Sequence, residues 1–218
     1  MNKPTTIYIV RHGEAEENLG KLDNLHPELG SPLTPKGITQ AKKLAKQLAD
    51  IEFNAIFSSD LTRTVQTATI IGSKLKLPIK TSKQIRERSF HHYIKNFTDK
   101  SETQIKQELV KDLQKLNELE KLNYKHSKLM ESVTEGAVRL LSFINESIAN
   151  ASGKNILIVA HGNIMRSLLN YLGYAKFDEL PAGSLENTGY FVLEENDSNY
   201  IIKNTVGVNK QKNTIRNF

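Results

Sequence analysis

Residues 5–13 read TTIYIVRHG, and residues 155–162 read NILIVAHG. Each is a short apolar run, rich in β-branched side chains, that breaks off at a His-Gly pair. Runs of this length and composition read as strands buried on both faces, and glycine after a strand lets the backbone turn tightly. A lone His at a strand end is more often structural than functional. Two in the same setting reverse that expectation. If the strands are neighbours, both imidazoles project from one edge of the sheet.

Working outward, Thr34-Pro35 has the form of an N-cap with proline at the first helical position. Ile38, Ala41, Leu44, Ala45 and Leu48 then keep helical spacing. Residues 14–33, before it, are polar and read as a long loop or short irregular helix. Ala55-Ile56-Phe57 is a second strand. Ser58-Ser59-Asp60 caps another helix, with Leu61, Val65, Ala68, Ile71 and Leu75 on one face. Arg63 stands one turn into that helix, within reach of the edge that carries the two histidines. Pro78-Ile79 opens an extended segment leading to Ile85-Arg86-Glu87.

Residues 91–129 are rich in Lys, Glu, Gln and Asn. Ser101-x-x-Gln104 has capping-box form, and Ile105, Leu109, Leu113, Leu116 and Leu119 follow as one amphipathic helix whose Leu stripe packs on the body. Too few apolar residues are available there for a second core. The segment reads as an inserted helical cap within a single domain spanning 1–218. Ser132-x-x-Glu135 is a second capping box, opening a helix lined by Val133, Ala137, Leu140, Ile144 and Ile148. Residues 164–172 form a helix, and 190–193 and 200–202 form antiparallel strands. This alternation predicts an α/β fold: a three-layer α/β/α sandwich with a mostly parallel central sheet and an inserted helical cap. Ligands of such sheets bind beyond the carboxyl ends of the strands.

Composition narrows the chemistry. The chain of 218 residues has no Cys, which excludes disulfides, thiolate metal sites and a Cys nucleophile. The net charge of +6 comes from 30 Lys+Arg against 24 Asp+Glu. Most of the basic residues are Lys spread along helical stretches, so the excess reads as a solvated surface and no nucleic-acid partner is expected. No apolar run approaches the roughly 20 residues of a membrane span. The Ile7–Val10 run is shorter than a signal-peptide core, so no membrane association and a cytoplasmic location are expected. His91-His92 lacks a spaced partner for a metal, and His26 and His126 read as loop and surface residues.

The motifs Arg11-His12-Gly13-Glu14 with Asn18, Leu33-Thr34-x-x-Gly37-x-x-Gln40-Ala41, Ser58-Ser59-Asp60-Leu61-x-Arg63-x-x-x-Thr67-Ala68, Ile85-x-Glu87-Arg88, Glu131-Ser132 and Ala160-His161-Gly162 occur in that order. Together they resemble the histidine phosphatase superfamily, which includes the cofactor-dependent phosphoglycerate mutases. The resemblance implies that His12 is a nucleophile forming a phosphohistidine and that Glu87 is the proton donor and acceptor. Arg11, Asn18, Arg63, His161 and Gly162 would then bind the phosphoryl group. It implies no metal and no cofactor, because the Arg/His cluster supplies the positive charge, and a small phosphorylated substrate as partner. His12 must be neutral to attack, whereas His161 helps most when protonated, so the two are expected to differ in pKa.

Three residues also have plainer readings: Arg63 as a surface helix residue, Glu87 as a partner of Arg86 or Arg88, and Asn18 as a turn former. The sequence departs from relatives around 88–95, where an aromatic-Gly and Glu-Gly are missing, at Met130 and at Asn163. No Arg lies between Arg88 and Arg139. Phosphoglycerate mutases of the family resemble one another in having paired arginines there, so hydrolysis of a phosphomonoester is favoured. A mutase-type phosphotransferase and a non-catalytic phospholigand-binding module stay open, as does a homodimer.

Overall fold

A computed structural model of the chain describes residues 4–20, 28–88, 102–128, 130–149, 153–196 and 199–211. Its strands are β1 (Thr5–Arg11), β2 (Ala55–Ser59), β3 (Ile79–Ser82), β4 (Asn155–Ala160), β5 (Leu185–Asn196) and β6 (Asn199–Val208). They form one sheet in the order β3-β2-β4-β1-β5-β6. The pairs among β1 to β4 are parallel, and β5 and β6 add antiparallel partners beyond β1. The helices are α1 (Pro35–Gln47), α2 (Thr62–Leu75), α3 (Glu102–Leu113), α4 (Glu118–Asn123), α5 (Val133–Ile148) and α6 (Gly162–Tyr171).

Alternation along the two histidine-bearing strands builds both helical layers. Ile7, Ile9, Ile156, Ile158 and Ala160 face one way, onto Ala137, Leu140 and Ile144 of α5 and Ile164, Met165 and Leu168 of α6. Val10, Leu157 and Val159 face the other way, onto Leu44, Ala45 and Leu48 at α1 and Ala68 and Ile71 of α2. A strand covered on both faces has no polar side, which is why β1 and β4 read as continuous apolar runs. Each such side chain, fully buried, contributes about 1.5–3 kcal/mol. The three layers are those the sequence predicts, with β5 and β6 longer than expected.

Thr34 caps α1, its Oγ1 accepting from Gly37 N at 3.0 Å, with Pro35 at the first helical position. The Ser132/Glu135 capping box opens α5, at 2.8 and 3.1 Å. Two expectations change. The start of α2 is capped by no side chain; its N-cap is Leu61. Asp60 is instead held by Arg86, which donates to both carboxylate oxygens at 2.7 Å, and a bidentate charged pair outcompetes a cap. The single helix expected across 105–119 is two helices. The chain breaks after Leu113, and Asn117 with Glu120 forms a fresh capping box for α4. Leu119 is 69% exposed, so the Leu stripe is not core packing along its length. Ser101 and His91-His92 lie outside the described residues, as does His26. No described helix is long and apolar enough to cross a membrane.

The glycines after β1 and β4 serve close approach. Neither Gly13 nor Gly162 adopts a positive φ, so the turn argument for them fails. A Cβ on Gly13 would lie 2.5 Å from the Gly37 oxygen, and one on Gly37 would lie 2.0 Å from the Glu14 oxygen. The first turn of α1 therefore rests directly on the backbone that follows the first histidine. Gly37→Ala should cost about 1–3 kcal/mol, as overpacking does, and lower the melting temperature by several degrees in thermal denaturation followed by circular dichroism. An unchanged melting temperature would show that this contact is not tight.

Candidate active site

Parallel pairing sets Arg11 opposite Ala160, so the residues that follow, His12 and His161, leave the sheet side by side. The His12 N–H donates to the Ala160 carbonyl at 3.1 Å, extending the ladder one residue past the strand. The two rings lie 5.3 Å apart, centre to centre, inclined at 64°. Both are buried, at 3% and 0% exposure.

The hydrogen bonds of His12 define its tautomer. Nδ1 lies 2.7 Å from the Gly13 carbonyl, which can only accept, so Nδ1 carries the proton. Nε2 receives Arg63 Nε–H at 3.2 Å, and a guanidinium can only donate. Nε2 therefore carries the ring's lone pair, which here accepts from Arg63. Burial pushes the pKa of His12 well below 6.5, with Arg63 and Arg11 adding to the effect. Burial also pushes His161 well below 6.5, with Arg63, His12 and Arg11 contributing. Both pKa values therefore move in the same direction, because the same cations face both rings. What distinguishes them is bonding, since neither ring nitrogen of His161 has a hydrogen-bond partner among the described residues.

Arg11 and Arg63 come from different layers. Arg11, the last residue of β1, donates through Nη1 to the Leu185 carbonyl at the start of β5, while its buried Nε has no partner. Gly162 brings the α6 backbone against it; a Cβ there would stand 3.2 Å from Arg11 Nε. Arg63, in the first turn of α2, is 5% exposed and is not a surface residue. Besides His12 it reaches Glu17, with Nη1 to Oε2 at 3.0 Å. Burial lowers the pKa of both arginines; Glu87 and Glu17 oppose this in each case. Thr67 ties the two segments, accepting from Gly13 N at 3.1 Å and donating to the Arg63 carbonyl at 2.7 Å.

Glu87 pairs with neither Arg86 nor Arg88 through side chains in any described contact. Its Oε1 accepts from Ile164 N at 2.7 Å and Arg88 N at 2.9 Å, and Oε2 accepts from Asn163 N at 3.0 Å. It therefore binds the first turn of α6, the helix for which His161 is the N-cap. The loop bearing Glu87 is clamped by Arg139, which donates to the Gln84 and Arg86 carbonyls and bidentately to Glu131 at 2.7 and 2.8 Å. Asn18 is exposed. Its Oδ1 accepts from Ala15 N at 2.9 Å, the turn-forming role, and from Asn187 Nδ2 at 3.4 Å.

The structure thus brings His12, His161, Arg11, Arg63 and Gly162 together, sets Glu87 beside them and leaves Asn18 at the margin. Sequence reading passed over Glu17, Asn187 and the Leu185 carbonyl. Asn187 Nδ2 donates to the His12 carbonyl at 3.2 Å, and Thr188 beside it has a φ of 60°. Nothing in a carbonyl oxygen or an isolated Asn marks it in a sequence; only Glu17, one residue before Asn18, lay within a motif. Buried donors lacking partners on Arg11 and His161, converging with Arg63, suit a group rich in acceptor oxygens and negative charge.

The model of the histidine phosphatase superfamily, branch 1, matches residues 7–206. A putative phosphoserine phosphatase 2 of Hydrogenobacter thermophilus is 30% identical over 184 residues, 84% of this chain and 86% of that one. A broad-specificity phosphatase of Saccharomyces cerevisiae is 28% identical over 186 residues, 79% of this chain and 72% of that one. The solved structure of a mycobacterial hydrolase shares the fold, with a TM-score of 0.73 at 21% identity, covering 95% of this chain and all of the other (100%). The chain belongs to the histidine phosphatase superfamily, branch 1.

Proposed function

We propose that this chain, a phosphatase of the histidine phosphatase superfamily, hydrolyses a small phosphorylated metabolite through a phosphohistidine on His12, without a metal. The observation that carries the reading is the tautomer of His12. The Gly13 carbonyl accepts a hydrogen bond from Nδ1–H and so leaves Nε2 as a buried, unprotonated nitrogen nucleophile among cations. Relatives named as phosphatases support hydrolysis, as does the lack of Arg between Arg88 and Arg139.

In the first step Nε2 attacks phosphorus, the N–P bond forms and the ester P–O bond breaks. Arg11, Arg63, His161 and the Gly162 backbone bind the equatorial oxygens, whose charge they stabilise more as the transition state spreads it. The leaving oxygen needs a proton, and Glu87 supplies it. Oε1 of Glu87 already accepts two N–H groups and Oε2 one, so the proton sits on Oε2, where a lone pair remains among the described contacts. In the second step Glu87, now a carboxylate, takes a proton from water as its oxygen attacks phosphorus. The N–P bond breaks, releasing inorganic phosphate and restoring His12.

Hydrolysis of p-nitrophenyl phosphate in excess chelator should be measurable and should fall by several powers of ten in His12→Ala, as for a lost nucleophile. Retained turnover in that variant would dismiss the mechanism. Glu87→Gln should slow an alkyl phosphomonoester far more than p-nitrophenyl phosphate, whose good leaving group needs little protonation; equal losses on both would remove Glu87 as the acid. Because the pKa of His12 is depressed, the acid limb of kcat/KM that it sets lies below pH 6.5. With the substrate's own ionisation subtracted, a limb at or above 6.5 would contradict a neutral resting nucleophile.

A further inference from the structure

Arg63 Nε–H occupies the very lone pair that phosphorus must reach, at 3.2 Å from His12 Nε2. For attack to begin, that donor must pass from the histidine to a phosphoryl oxygen while the guanidinium keeps its place. Its other end is anchored: Nη1 donates to Glu17 Oε2 at 3.0 Å. Glu17 is itself held. Ser31 Oγ donates to the same oxygen at 3.2 Å and accepts from Glu17 N at 3.2 Å, and Ser31 is fully buried, at 0% exposure. Gly30 next to it has a φ of 72°, and a Cβ there would stand 2.6 Å from Arg63 Nη1. Three residues of one loop are thus shaped around one guanidinium nitrogen.

We propose that Glu17 is a positioning residue for the phosphoryl site, anchoring Arg63 through Nη1 while its Nε passes from His12 to a phosphoryl oxygen, and that its negative charge weakens the hold on released phosphate. The proposal rests on Arg63 being a phosphoryl ligand, as argued above. The two roles separate chemically. Glutamine keeps an acceptor for Nη1 and removes the charge, whereas alanine removes both. A carboxylate bonded to a phosphate-binding arginine repels the bound dianion, and with 24% of its side chain exposed the repulsion is only partly screened.

The experiment compares wild type, Glu17→Gln and Glu17→Ala by calorimetric binding of inorganic phosphate and by steady-state hydrolysis of p-nitrophenyl phosphate. Glu17→Gln should bind phosphate about five- to tenfold more tightly at low salt, with a smaller gain at high salt. Glu17→Ala should lose at least about tenfold in kcat/KM, because a loosened arginine no longer meets the transition state in register. Unchanged phosphate affinity in Glu17→Gln, or unchanged kcat/KM in Glu17→Ala, would overturn the proposal. So would a lowered melting temperature in both variants with wild-type affinity and kinetics in the folded protein, the mark of a merely structural residue. Wild type that binds phosphate without turnover would refute hydrolysis and leave the calorimetric comparison to judge Glu17. Wild type that does neither would refute both.

Discussion

Parallel pairing of β1 with β4, in the register that sets Arg11 against Ala160, is the constraint on which the site depends. Side chains in strands alternate with a period of two, so a slip of one residue would turn every apolar residue of β4 to the wrong helical layer. In the observed register Ile156 and Ile158 fill one layer and Leu157 and Val159 the other. The catalytic alignment is thereby a consequence of core packing. His12 and His161 meet because the residues behind them pair in this register.

Around that alignment the protein concentrates charge where charge is costly. Arg11, Arg63 and two imidazoles share a buried pocket, and burial depresses the pKa of all four. For histidine the least costly response is neutrality, which is also what a nitrogen nucleophile requires. Arginine has no such escape, so its charge must be met by neighbours: Glu17 for Arg63, the Leu185 carbonyl for Arg11, and Glu87 at longer range for both. A dianionic phosphoryl group, as proposed above, would meet the same need more fully.

Glu87, the proposed acid/base residue, is supported through a different set of contacts. Arg139 on α5 grips the carbonyls of the loop before Glu87 and is itself held by Glu131. Glu87 then binds the amides opening α6, the helix that His161 begins. Glu87 and the second histidine are thus mechanically one unit. The Glu131-Ser132 motif serves this clamp: Ser132 caps α5, and Glu131 locks the arginine that locks the loop.

Local sequence determined a great deal here, because the relevant signals are short in range. The apolar runs of β1 and β4, the Thr34-Pro35 and Ser132/Glu135 caps and the paired His-Gly strand ends each express a preference of neighbouring residues. The motifs naming His12, Arg11, Arg63, His161 and Glu87 lie next to those signals. Tertiary structure decided whatever depended on competition or on backbone groups. Asp60 left its cap for Arg86; the Leu stripe broke at Asn117; Gly13 proved to be spacing for Gly37 and not a left-handed turn. Glu17, Asn187 and the Leu185 carbonyl joined the site because loops distant in sequence fold onto it. Both histidines are depressed in pKa, because burial and the field of the arginines depend on distances through space, which no spacing along the chain encodes.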